Sequence, residues 1–402
     1  MAGFRVGRAV RRDVWRELPQ RAQPDRGKDQ RMNPFMNDDS LTTSARDLAS
    51  LAREQFVLAI DFGGTKVAVA TADMEGSILK QARLDTHASQ GAQQLLERTT
   101  TAAHALIERT VAEVGGQCVA VGVATPGVVH DNGVLLSPNI PGWEHVPLRE
   151  TMRASLHIPT VVAENDVKAA AMAEVLWGAL KGADPAVFLS LGTGIAAAIV
   201  IGGRVVTGAH GASGEIGYNL RSVLDNAGAA HGRAPLEEAI GGRFIGERGS
   251  LLLGEQLSAA DVFAHSDIRA RFLVDETLAE LATHVANLAI LIDPARIAVG
   301  GGLMSSSDVI LHALAFRLGY AVPFPPEIVP ARFLNDASLH GAIALYESSL
   351  NLEEQEERER RVVAQRGGEG RQNRTCLARL RKTQSAQRSK EVKNRCSLSM
   401  PY

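Results

Sequence analysis

Cysteine is scarce, with three among 402 residues. Cys118 lies in an apolar, strand-like run, while Cys376 and Cys396 lie in a polar stretch near the end. That placement offers neither a disulfide framework nor a metal-ligand set, and it fits a reducing cytoplasm. An excess of one charge is also lacking: Lys+Arg total 43 against 45 Asp+Glu, a formal net charge of −2. No basic surplus points to nucleic acid and no acidic surplus to a cationic partner. No apolar run approaches the length of a membrane span, and no secretory apolar region follows the start. The expectation is a cytoplasmic protein with no membrane or nucleic-acid partner.

At 402 residues and 45% apolar composition the chain is long enough for two domains, each with its own core. The ends do not read as core. The stretch "FRVGRAVRRDVWRELPQRAQPDRGKDQR" is rich in Arg, but Asp13, Glu17, Asp25 and Asp29 argue against a transit peptide. A start at Met32 or Met36 explains it at least as well. After Leu352 the chain becomes "EEQEERERRVVAQRGGEG", charged and without apolar periodicity. Residues 1–50 and 353–402 are expected to be disordered.

Between the ends the pattern is α/β. "FVLAIDFGGTKVAVATAD" is a pair of apolar β-runs about a Gly-rich turn, and a third run, "ILKQARL", follows. A helix is expected from Ala92 to Val114, with Leu95, Leu96, Ala103, Leu106 and Ile107 on one face. Then come a strand, "CVAVGVA", a loop, a helix near "LRETMRASLH" and a short strand, "TVVAEN". The order predicts a mixed sheet covered by helices. "AVFLSLGTGIAAAIVIGG" begins the pattern again, followed by a helix over about Ile268 to Ile292, a strand "RIAVGG" and a helix after Ser307. Two such openings imply a duplicated architecture with a cleft between the halves.

Three glycine turns and one strand end carry the chemistry. In Asp61-Phe62-Gly63-Gly64-Thr65-Lys66 the glycines let backbone N–H groups approach an anion closely, and Thr65 adds a hydroxyl. Asp61, at a strand end, suits hydrated Mg²⁺, which takes one or two carboxylates beside phosphate oxygens. Gly192-Thr193-Gly194 is a partner turn, a weak signal alone. Gly300-Gly301-Gly302 joins a strand to a helix, where helix N–H groups can meet a nucleotide. "VVAENDVKAAAMAE" puts Glu164-Asn165-Asp166 between a strand and a helix of small residues. Asp166 there either caps the helix or serves as a base that activates a hydroxyl, and spacing alone does not choose.

With these motifs the chain resembles the ROK family, the sugar kinases and related repressors of the actin–hexokinase superfamily. The resemblance runs from about Val57 to about Tyr346. It rests on "AIDFGGTKVAVA", "GVATPGVV", "SPNIPGWEHVPL", "VVAENDVKAAAMAE", "LSLGTGI", "GASGEIG" and "IAVGGGLM" in family order. It implies a two-domain actin-like, ribonuclease H-like duplicated fold, with domains over 51–165 and 166–336 and a helix over 337–350 packing back on the first. It also implies ATP-dependent phosphorylation of a hexose hydroxyl, at C6, with Mg²⁺ and with Asp166 as base. Asn139, Asn165 and Glu215 match sugar-binding positions, and Glu237 aligns with the glutamate that closes the family's Cys-rich motif. Asp61, Gly63, Gly64, Thr65, Lys66, Gly192, Thr193 and Gly194 fall at phosphate-binding positions, and Gly300, Gly301 and Gly302 in the adenosine region. The resemblance also suggests a homodimer, which the residues themselves leave open.

Two departures stand out. Most of the family holds zinc with one His and three Cys. Here Tyr218 occupies the His position, and no cysteine lies between Gly217 and Glu238. A structural zinc site needs closed N/S ligation, which His231 alone does not supply, so the chain is expected to be zinc-free. Tyr218 replaces a residue that usually touches the sugar, which leaves glucose, N-acetylmannosamine, N-acetylglucosamine, fructose and allose open. Ala196-Ala197-Ala198 stand where glycines are usual, harmless in ordinary strand but crowding where positive φ is needed. A weakened sugar-binding protein is the competing reading. A DNA-binding repressor is disfavoured, because residues 1–50 show no pair of amphipathic helices joined by a short turn.

Overall fold

The computed structural model describes residues 55–137, 139–225 and 227–347. The chain divides into two units, Met1–Ala45 and Arg46–Tyr402, and all the described residues lie in the second. The expectations for residues 1–50 and 353–402 fall outside them.

Two five-stranded sheets are built on one plan. In the first, β1 (Gln55–Phe62), β2 (Lys66–Ala72), β3 (Ile78–Asp85), β4 (Gln117–Thr125) and β7 (Thr160–Asn165) lie in the order β3-β2-β1-β4-β7. The hairpin partners are antiparallel, and β4 and β7 are parallel to β1. In the second, β8 (Ala186–Leu191), β9 (Ile195–Ile201), β10 (Arg204–Val205), β11 (Arg296–Gly300) and β12 (Glu327–Pro330) lie in the order β10-β9-β8-β11-β12. The pairings have the same senses. A small hairpin, β5 (Val128–His130) and β6 (Gly133–Leu135), completes the strands.

Continuous apolar runs such as "FVLAI" form strands covered on both faces. Leu58, Ile60 and Phe62 of β1 point toward α1 (Ala92–Glu113) and α2 (Leu148–Leu156). Val57 and Ala59 point to the other face, where Leu339, Ala342 and Ile343 of the helix over residues 337–347 cover them. α1 is amphipathic: Leu95, Thr99, Ala103, Leu106 and Thr110 form its buried stripe. Thr110 meets Thr71 of β2 hydroxyl to hydroxyl at 2.7 Å, so this polar pair is satisfied inside the core. Each fully buried Leu or Ile side chain contributes roughly 1.5–3 kcal/mol.

In the second sheet Val187, Leu189 and Leu191 of β8 face α4 (Pro235–Ile240), α5 (Gly242–Leu253), α6 (Ala259–Ala264), α7 (Ile268–Ile292) and α8 (Ser307–Ala321). Phe188 faces the other way, onto α3 (Asp166–Leu176). α3 is shared by both cores, since Ala169 packs with the first sheet's cluster and Ala170 and Ala171 with the second's. That double contact explains its Ala-rich sequence, because only small residues admit backbones on both sides. Among the described residues no helix is long and apolar enough to cross a membrane.

Candidate active site

α3 begins where β7 ends, and its first turn is fixed by Asn165. That side chain is buried and caps the helix, accepting from the N–H of Val167 at 3.0 Å and of Lys168 at 3.2 Å. Its Nδ2 donates to the Gly127 carbonyl at 3.0 Å, which leaves one amide hydrogen for a ligand. The cap is therefore Asn165, and Asp166 is the first helical residue. Asp166 keeps one contact in its own turn, from the Val167 N–H at 2.9 Å. Burial raises the Asp166 carboxyl above the usual carboxylate range, opposed by that N–H and by the Lys168 ammonium.

Two acids from other segments, Asp61 and Glu215, feel the charge of Asp166. Asp61, at the end of β1, is pushed up to about 7 by burial, then by the negative charges of Asp166 and Asp336, with Arg83 opposing. Arg83 of β3 donates to Asp336 at 2.6 Å. Glu215 is raised by burial and by Asp166 and Glu237, against the pull of Lys168. Glu237 is raised mainly by burial, and its Oε2 accepts from the Ile195 N–H at 3.2 Å. The fit is tight, since a Cβ on Gly194 would lie 2.2 Å from that oxygen. By itself Glu237 reads as an exposed helix-start acid; the fold half-buries it behind the Gly192–Gly194 turn.

Tyr218 is half-buried, with its phenol raised by burial, Glu215 and Glu237. It lines a cavity of about 360 Å³ with Ser137, Glu144 and Leu136. Asn139 is exposed, on a loop anchored by the buried Trp143. The Trp143 indole donates to Thr125 at 3.0 Å and packs edge-on against Phe62 with ring centres 5.1 Å apart. Trp143 thus ties the Asn139 loop to the strand ends beside Asp61.

Gly192 and Thr193 adjoin Gly302 in a second cavity, of about 790 Å³, with Gly242, Arg243 and Gly246. The N–H groups of Gly242 and Arg243 hold the turn, donating to Gly192 at 2.9 Å and to Thr193 at 3.1 Å. Gly301 has φ +93°, and a Cβ there would lie 2.4 Å from the Leu191 carbonyl, so only glycine suits the position. The first turn does not line this cavity. Gly64, Thr65 and Lys66 are exposed, and Thr86 braces the turn by donating to the Gly63 carbonyl at 2.8 Å. Ala196–Ala198 are regular strand opposite Ser190 to Phe188, none at positive φ. The roles of Lys168, Arg83, Asp336 and the start of α5 were not apparent in the sequence. A lysine inside the Ala-rich "VKAAAMAE" is the one signal that could have pointed to a buried cation.

Two sheets of identical order, helices on both faces of each and glycine turns at the strand ends define an actin-like fold of the hexokinase type. A profile described as "ROK family" matches residues 57–349, and the chain belongs to that family. An N-acetylmannosamine kinase from Shigella boydii is 32% identical over 294 residues, covering 72% of this chain and 97% of that protein. A ROK hexokinase from Thermus thermophilus superimposes with a TM-score of 0.63 at 27% identity, over 74% of this chain and 99% of that one. A ROK glucokinase from Streptomyces griseus, solved with glucose and AMPPNP, gives 0.59 at 27% identity, over 72% and 98%.

Proposed function

We propose that the chain is an ATP-dependent sugar kinase that phosphorylates a hexose hydroxyl, at C6, with Asp166 as general base. The class, a sugar kinase, is supported by relatives and solved structures of that activity matched along nearly their whole length. One observation carries the role of Asp166. Asn165 caps the helix, so Asp166 is released from that duty and stands among Asp61 and Glu215. Burial raises its pKa, which makes it a stronger base for a hydroxyl proton.

In this reading Glu215, Glu237, Tyr218, Asn139 and the remaining amide hydrogen of Asn165 orient the sugar. The nucleotide lies along Gly192–Gly194 and Gly300–Gly302, in the cavity that Gly242 and Arg243 help to line. The exposed residues Gly64, Thr65 and Lys66 face the phosphates from the first sheet. The donor set suits Mg²⁺: Asp61 resists ionisation because of burial and then of neighbouring carboxylates, and a cation held by Asp61 through water would offset both. Bound there, the ion would neutralise phosphate charge, the main requirement of phosphoryl transfer. Closure of the two halves would exclude water as a competing acceptor.

The test is ADP release by wild type and Asp166→Asn on a panel of hexoses and N-acetylhexosamines. Sugar-dependent release by the wild type with loss in the variant is expected. Absence of sugar-dependent release across the panel would overturn the kinase reading.

A further inference from the structure

Among the described residues Lys168 is the largest charged side chain sealed in the interior, 1% exposed, two residues after Asp166 on α3. Burying an ammonium is costly unless it is paired, so its position needs an explanation. Its Nζ donates at 2.6 Å to the carbonyl of Gly211, a residue 43 positions away in the chain. Gly211 belongs to the loop between β10 and the turn that carries Glu215 and Tyr218. The loop has few other ties near that point: Gly211 to Gly208 at 3.4 Å, Ser213 to Thr207 at 3.1 Å, and Glu215 to Ala212 at 3.5 Å, all within the loop. Beyond it, the Gly214 carbonyl accepts from Ala197 of β9 at 2.8 Å. Lys168 therefore supplies the link from this loop to the base-bearing helix.

The geometry points to Lys168 as a positioning residue that tethers the Glu215 loop to α3, setting the sugar-gripping acid against Asp166. This rests on the kinase reading above. Two further facts agree with it. The ammonium favours the ionised forms of both Glu215 and Asp166, so both acids feel its charge. Gly211 has φ +71°, and a Cβ there would lie 3.1 Å from Val128, so the residue whose carbonyl meets Nζ sits where glycine is favoured.

The experiment compares wild type, Lys168→Met, Lys168→Gln and Gly211→Ala by steady-state kinetics and by hydrogen–deuterium exchange over residues 207–218. Met keeps the length without donor or charge, Gln keeps a shorter donor, and Ala at 211 moves the carbonyl while leaving Lys168 in place. Losing a hydrogen bond from a charged group corresponds to about 10- to 100-fold. Lys168→Met should raise the sugar KM by about that factor, leave the ATP KM within about twofold and speed exchange in the loop. Gly211→Ala should do the same, and the double variant should cost little more than either single one, as expected for partners in one contact. Lys168→Gln should recover part of the loop protection. Unchanged exchange and sugar KM in Lys168→Met, or additive losses in the double variant, would overturn the tether. If Lys168→Met does not fold, Gly211→Ala and Lys168→Gln decide by the same readouts. If the wild type phosphorylates no sugar, the kinase reading fails while loop exchange still decides whether the tether exists.

Discussion

Asp166→Asn changes charge and little else, because the α3 cap belongs to Asn165 and survives. General-base catalysis is worth typically ~10²- to 10⁴-fold, so turnover should fall by about that amount with sugar affinity nearly constant. Near-normal turnover would take Asp166 out of the chemistry. Asp61 gives a separate, pH-dependent test. Its folded pKa of about 7 lies above its ordinary value of 3.8. Between those values the folded state holds a proton that the unfolded chain releases, so this group's contribution to stability falls as pH rises through that window. Asp61→Asn in metal-free buffer should therefore melt higher than wild type at pH 8, by on the order of 1–2 kcal/mol after allowance for partial exposure, with the gain gone at pH 4. Equal gains at both pH values would assign the effect to something other than the charge. The acid at a strand end beside two glycines was legible in the sequence. That Asp336 also bears on it was not, since 275 residues separate the two in the chain.

Among the elements, β4 and the helix over residues 337–347 approach backbone to backbone. A Cβ on Gly122 would lie 1.7 Å from the Ala342 carbonyl, and one on Gly341 would lie 2.2 Å from the Ala169 carbon. No flexible side chain stands there to yield; backbone would have to move. Gly122→Ala should thus cost about 2–4 kcal/mol, read as a lower melting temperature with a native-like circular dichroism spectrum. Wild-type stability in that variant would mean that the helix docks less closely than described. The existence and order of β4 could be read from its apolar run. Its need for glycine came from a helix distant in sequence, which no local pattern encodes.

For the molecule as a whole, the repeated strand order places two glycine-turn systems on two sheets, with α3 buried in both cores. Tyr218 and the stretch from Gly217 to Glu238, which holds no cysteine, carry the expectation that the chain is zinc-free. Among the described residues no three His, Cys, Asp or Glu side chains are grouped so as to hold a metal ion. Elemental analysis of the purified chain should show no stoichiometric zinc, and a chelator should leave its melting temperature unchanged. One zinc per chain would overturn this and direct attention to His210 and His231.

Periodicity and turn chemistry act over a few residues, so the sequence by itself determined the α/β succession, its duplication, the glycine turns and the acids at the ends of β1 and β7. Those features depend on neighbours in the chain, and neighbours can be read directly. The division of labour between Asn165 and Asp166, the turn of Glu237 onto Gly194, and the first glycine turn's place outside the 790 Å³ cavity were decided only by tertiary packing. So was the contact from Lys168 to Gly211, because burial selects a partner by position in space, and residues 43 apart in sequence meet only when the fold brings them together.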